Sequence, residues 1–171
     1  MTAMPGREKW SKINYSTITM QHQFLFSKSI RSKIIPLYQS LTIEQLNKIP
    51  NGFRNNLAWH LGHIVVTNDI LCYIKTGVQP EKEIPYMDQY KNGSVPEKFI
   101  ERSEIDYFLN RLLPSLEAIE ADFQKGIFKE IQPYATMTFG VEMKDIATYF
   151  ACCEHHDILH YGNMQAMKKL I

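Results

Sequence analysis

Apolar residues recur at three- and four-residue steps in four stretches of the chain, the period of an α-helix with a buried face. The first stretch runs from about Ile18 to Leu41 through Leu25, Ile30, Ile34 and Leu37. Pro36 lies inside it and is expected to kink or divide the helix, because proline lacks a backbone donor and crowds the preceding turn. Thr42 with Gln45 forms a capping-box pattern, which predicts a brief helix over Ile43 to Lys48. Pro50, Asn51 and Gly52 end it. The second long stretch covers about Asn56 to Thr76, with Asn55 or Asn56 as its cap and Gly77 as its stop. Leu57, Leu61, Ile64 and Leu71 share one side of it, and Trp59, Val66, Ile70 and Ile74 lie beside them. A helix this apolar is expected to be buried on more than one side.

A long connection follows, roughly Gly77 to Arg102, holding Pro80, Pro85, Gly93 and Pro96. It is longer than an ordinary loop and lets the chain cross rather than reverse at once. The third helix is expected from Ser103, read as its cap, to about Gln124, with a core stripe of Leu109, Leu112, Leu116, Ile119 and Phe123. Pro114 is expected to bend it. The linker Gly126 to Gly140 is turn-rich, and its only strand-like run, Thr136 to Phe139, is short. The fourth helix is expected over about Glu142 to Lys169, with Ile146, Tyr149, Cys153, His156, His160, Met164 and Met167 on its inward stripe. The pattern describes an all-α fold, a four-helix bundle with a long connection between helices 2 and 3. The expected organisation is a single domain over residues 1–171, with residues 1–16 as a loosely ordered N-terminal arm.

Composition narrows this little. The chain has 171 residues, enough for one sizeable core, and its 44% hydrophobic and 22% charged residues are ordinary for a globular protein. Nineteen basic and 18 acidic residues give a formal charge of +1, with no long block of one sign. That offers no electrostatic footprint for nucleic acid or an anionic membrane. The first ten residues are polar, without the apolar run of a signal peptide, and no stretch approaches a membrane span. A cytoplasmic location is expected. Cys72, Cys152 and Cys153 form no C-x-x-C pair and no secreted framework, and are read as small buried residues.

The histidines are the informative feature. His60 and His63 make one tight group, and His155, His156 and His160 another. His156 and His160 are four apart, so a helix stacks them about 6 Å apart along its axis, where two imidazoles can converge on one ion. His155 is turned by about 100° and cannot share that face. Glu154 and Asp157 flank the pair and are expected to face water. His63 sits on the most apolar helix, where a polar ring needs a partner. A shared metal would satisfy all three rings, and a hydrogen-bonded polar core is the alternative. His22 is read as structural. Cys152, one turn before His156, and Tyr161 and Trp59, at a pocket mouth, are weaker candidates.

The run Asn55-Asn56-Leu57-Ala58-Trp59-His60-Leu61-Gly62-His63-Ile64 resembles the second helix of the DinB-like (YfiT-like) metalloenzyme family. His156-Asp157-Ile158-Leu159-His160-Tyr161-Gly162-Asn163 resembles the motif of its last helix, and Tyr90 to Pro96 its central loop. The resemblance spans nearly the whole chain. It implies a four-helix bundle, often dimeric, with His63, His156 and His160 as ligands of one divalent ion: nickel, zinc, iron or manganese. It also implies thiol-dependent transfer or isomerisation with a low-molecular-weight thiol. The family commonly carries glutamine where this chain has Asn163, a departure at a position that could orient a ligand.

Three neutral imidazoles leave an ion its charge and an open position, the layout of a catalytic site. Such an ion could acidify water for hydrolysis or a thiol for transfer. No other residue is a clear general base. His60 and Asn163 are the candidates for supporting the ligands, with His60 equally open to a proton-shuttling or purely packing role. The expectation is a metal-dependent thiol S-transferase or hydrolase acting on a small molecule, working as a homodimer. The alternatives are a non-catalytic metal- or ligand-binding protein and a dimeric scaffold with a vestigial site.

Overall fold

The structure is a computed structural model that describes residues 15–171. The expected N-terminal arm lies almost wholly outside the described residues, as does the side chain of Ile18. The elements are α1 (Tyr15–Gln39), α2 (Ile43–Asn47), α3 (Leu57–Asp69) continued by a π-helical turn (Ile70–Lys75), α4 (Met87–Tyr90), α5 (Arg102–Gln124), β1 (Tyr134–Ala135), β2 (Glu142–Met143) and α6 (Ile146–Lys168). The fold is all-α: the strands are two residues each, paired antiparallel with Tyr134 opposite Met143. Helix α1 packs on α5 and α6, and α3 packs on the same two from the other side.

Several helix ends follow the local chemistry. The Thr42–Gln45 capping box forms in both directions. Asn56, not Asn55, caps α3 by accepting from the Trp59 amide at 2.8 Å. Asp145 caps α6 through the Thr148 amide, so Glu142 belongs to β2 rather than to the last helix. Ser103 does not cap α5: the helix starts one residue earlier, after Glu101, without a side-chain cap.

Both helix-interior prolines are tolerated. Helix α1 runs unbroken through Pro36 and α5 through Pro114. Each proline is exposed, and the carbonyl each leaves free belongs to an exposed residue, Ser32 or Asn110, where water can serve it. The second long helix does change character. Its last turn is π-helical, and the Thr76 hydroxyl donates to the Cys72 carbonyl at 2.7 Å, the acceptor that an α-helix would give to Thr76's own amide. Gly77 then ends the rod at φ +75°.

The inward face of α1 differs from the expected one. Leu25 is 64% exposed. The buried positions are Met20, Phe24, Ser27, Arg31, Ile34 and Tyr38, at alternating four- and three-residue steps, with the expected Leu37 beside them. An arginine sits in the middle of that stripe with no exposed surface. Asp157, expected at the surface, is equally buried and faces it. Arg31 Nε donates to Asp157 Oδ2 at 2.7 Å and Nη2 to Oδ1 at 3.2 Å. Its remaining donors reach α5, at the Leu112 carbonyl (2.7 Å) and Ser115 Oγ (3.1 Å). On α5 the stripe is Ile105, Phe108, Leu112, Ser115, Leu116 and Ile119, while Leu109 and Phe123 are only half-buried.

The long connection is pinned near its far end and at its middle. Asn47 holds the backbone of Ile100, accepting from its amide at 2.7 Å and donating to its carbonyl at 3.0 Å. Helix α4 presses the Tyr90 ring onto α3 at Gly62, where a Cβ would sit 2.5 Å from the ring. Only glycine permits that approach.

Removing one member of a buried, fully bonded ion pair strands the other. Arg31→Met and Asp157→Leu should each destabilise the fold by about 3–5 kcal/mol. The double variant should recover most of that loss. Urea denaturation of the three proteins tests this, and a double variant as unstable as the sum of the two would contradict it.

Candidate metal centre

Three side chains from two helices meet between α3 and α6. His63, His156 and His160 each present one ring nitrogen, and the three atoms lie within 4.8 Å of one another. His156 and His160 are stacked one helical turn apart, with ring centroids 4.3 Å apart, as their spacing predicts. His63 enters from α3, with its Nε2 3.1 Å from His156 Nε2.

Two of the three rings are oriented by partners outside the cluster. His63 Nδ1 donates to the Tyr90 carbonyl at 2.6 Å, which fixes the tautomer and leaves the Nε2 lone pair for the cluster. The Trp59 ring stacks on His63 at 4.3 Å and 16°. Trp59 is itself held by its Nε1–H, shared between the Gln89 carbonyl and Ser94 Oγ. His160 Nδ1 lies 2.7 Å from His60 Nδ1, which leaves Nε2 as the free nitrogen of His160. His60 is therefore in direct contact with a cluster member. Asp157 orients α6 as a whole through Arg31.

Burial favours neutral rings, the form that ligates metals. It lowers the pKa of His63 and His60 to about 4 and that of His156 to about 3, with neighbouring charge adding to the effect on His60 and His156. His160 is lowered further, by burial and then by the other rings.

Tests of the donor set against a metal ion are favourable. With nitrogen–metal bonds of 2.0–2.1 Å, adjacent ligands are about 2.9 Å apart in an octahedron and about 3.3 Å in a tetrahedron. The 3.1 Å between His63 and His156 falls between those values. The 4.8 Å bound on the full set is looser, so the third nitrogen would be drawn in. A purely hydrogen-bonded core serves the cluster less well. One N–H can link His63 to His156, but it gives nothing to His160 Nε2, and His156 Nδ1 has no partner in either arrangement. The residues fit a divalent ion held by three imidazoles.

The cluster opens on a cleft of about 770 Å³. Its walls include Thr67, Ile70 and Ile74 along the rod, the loop Lys91–Val95, the hairpin tip with Met137 and Phe139, and Leu159. The remaining candidates from the sequence divide clearly. Trp59 and Cys152 line the cleft. The Cys152 thiol, half-buried, is pushed up to about 11, chiefly by burial, which makes it a poor thiolate. Asn163 and Tyr161 are half-buried and do not line the cleft. His155 is exposed and bonds its own helix at the Ala151 carbonyl. His22 is exposed, and Glu154 is half-buried. Cys72 and Cys153 are buried with their sulfurs 3.8 Å apart. Sequence reasoning missed Arg31, Asp157 and the Tyr90 carbonyl. The signal for the first two was available, because Arg31 lies on the three–four stripe of α1.

A family model described as the DinB superfamily matches residues 28–164, and the chain belongs to that superfamily. No curated protein matches it. No helix among the described residues is long and apolar enough to cross a membrane.

The depressed histidine pKa values set a pH dependence for chelator-treated protein. Below the ordinary histidine value of 6.5, the unfolded chain takes up protons that His60 and His63 refuse until about pH 4. The unfolded state then binds more protons, so stability falls as pH falls across that window. Thermal melts between pH 8 and pH 4 should show a declining melting temperature below about pH 6.5. A flat profile down to pH 4.5 would contradict the buried neutral cluster.

Proposed function

We propose that this member of the DinB superfamily binds one divalent ion through His63, His156 and His160 and acts as a metal-dependent enzyme on a small molecule. Thiol S-transfer is the reaction we favour, and hydrolysis is the second form of the same chemistry. The observation that carries the reading is the convergence of three neutral imidazoles at the wall of a roomy cleft. Among the described residues no carboxylate or thiolate joins the three as a fourth ligand. A structural site is closed by four protein ligands, whereas a catalytic site keeps a side open.

When bound, the ion supplies Lewis-acid polarisation and lowers the pKa of a water or thiol that reaches its open side. The chain's own residues do the rest. Tyr90 and Trp59 fix the His63 ring, and His60 holds the His160 tautomer through Nδ1. The apolar wall formed by Ile70, Ile74 and Phe139 excludes water from one side of a bound molecule. Nickel, zinc, iron and manganese all suit an imidazole donor set.

His63→Ala, His156→Ala and His160→Ala should each lose bound metal, while His155→Ala keeps it. Elemental analysis of untagged protein, with thermal melts before and after chelation, measures both occupancy and stabilisation. Stoichiometric metal in His156→Ala would sink the ligand assignment. His60→Leu should weaken metal affinity about 10–100-fold, as loss of a ligand's outer partner does elsewhere. His60→Gln, which can still bond His160, should retain most of it. Competition with a chromophoric chelator reads out both, and equal losses in the two variants would make His60 a packing residue.

A further inference from the structure

The charge on the cleft walls is one-sided. The chain as a whole is nearly balanced, with 19 basic and 18 acidic residues. Among the described residues, the cleft is lined by Arg54, Lys75 and Lys91 and by no aspartate or glutamate. Lys91 is paired with Asp88 at 2.6 Å, at an exposed position. Lys75 is different. It is half-buried, its Nζ lies 4.9 Å from the centre of the Tyr134 ring, and no carboxylate pairs with it among the described residues.

Lys75 also has a defined place relative to the histidines. It ends the rod on which His63 sits, roughly 18 Å further along by helical rise. Between them Thr67, Ile70 and Ile74 face the same cleft. Ile74 lies on the same helical face as His63, Thr67 and Ile70, and Lys75 follows it at the end of the rod. The cleft thus has the histidine cluster at one end, an apolar stretch in the middle and an unpaired ammonium at the far end. Neutral histidine ligands would add no negative charge to offset an ion. Low-dielectric walls lined by one sign of charge focus the field onto whatever enters.

We infer that the cleft takes a small organic anion with an apolar body, whose carboxylate, sulfonate or phosphate group is anchored by Lys75 while its other end lies at the histidine cluster. This names the substrate class for the site proposed above and rests on reading that cleft as the ligand site. Lys75 acts as a specificity determinant and stands apart from the metal ligands.

The test uses two fluorescent probes that share one ring system. One is 1-anilinonaphthalene-8-sulfonate, and the other is its uncharged parent, N-phenyl-1-naphthylamine. Each is titrated into the full chain after chelator treatment and again after metal loading. Wild-type protein should bind the sulfonate about tenfold more tightly than the parent, and added salt should erode that preference. Lys75→Gln should abolish most of the preference while binding the parent as before. Lys75→Arg should keep it, as should Lys33→Gln, which removes an exposed charge on α1. Equal binding of the two probes by wild type, or a preference that survives in Lys75→Gln, would overturn the inference. If Lys75→Gln loses both probes, Lys75→Arg decides: loss of the sulfonate preference there overturns the inference too. Metal content is measured on the same samples. A charge preference without metal binding would fail the metal reading alone, and metal binding without a preference would fail this inference alone.

Discussion

The Arg31–Asp157 pair joins three helices at one point in the interior. Its two hydrogen bonds cross from α1 to α6, and the other guanidinium donors fix α5. Neither side chain has exposed surface, so the pair gains little net stability over an apolar packing of the same volume. Its consequence is register. Asp157 directly follows His156 and precedes His160 by less than one turn. With Asp157 committed to α1, helical geometry turns His156 and His160 about 60–100° to one side of it, where they meet α3. A rotation of α6 that misplaced the histidines would also leave a buried carboxylate and a buried guanidinium unpaired. Burial raises the Asp157 pKa, and the Arg31 guanidinium opposes that rise.

The opposite side of the cluster is fixed by a different device. Helix α3 is buried on nearly every side, which leaves it no freedom to rotate. The Tyr90 ring against Gly62 sets how closely α4 approaches, and the Tyr90 carbonyl then reaches His63 Nδ1. Trp59 closes the clasp by stacking on the same imidazole while its indole donor holds the loop. An ion pair therefore aims one half of the cluster, and backbone contact from the long connection aims the other. That connection was expected to do more than reverse the chain, and orienting His63 is what it does.

The long helices, most of their boundaries and the convergence of His63, His156 and His160 are legible in the sequence, because each rests on a period or a spacing; the short helix α4 inside the long connection is not. The capping box, the Asn56 cap and the Gly77 stop were legible for the same reason: their chemistry is complete within four residues. The misreadings concern long-range partners. Arg31 was passed over because a charged residue counts against a core position unless its counterion is known. The counterion lies on the last helix, where Asp157 looked like a solvated neighbour of the histidines. Leu25 belongs to an apolar pattern of mostly three- and four-residue steps, but the stripe that is buried runs through Phe24, Ser27 and Arg31. The prolines looked disruptive because the sequence does not say whether the carbonyl they free faces water.

The spacing of residues along the rod sets the polarity of the space in front of the histidines. His63, Thr67, Ile70 and Ile74 follow one another at four-, three- and four-residue steps, so they share one helical face and line one wall of the cleft. The rod ends at Lys75, where the Thr76 hydroxyl donates to the Cys72 carbonyl at 2.7 Å and also lies 3.2 Å from the Tyr73 carbonyl. One side of the most buried helix therefore runs from an imidazole of the cluster through an apolar stretch to a charged end.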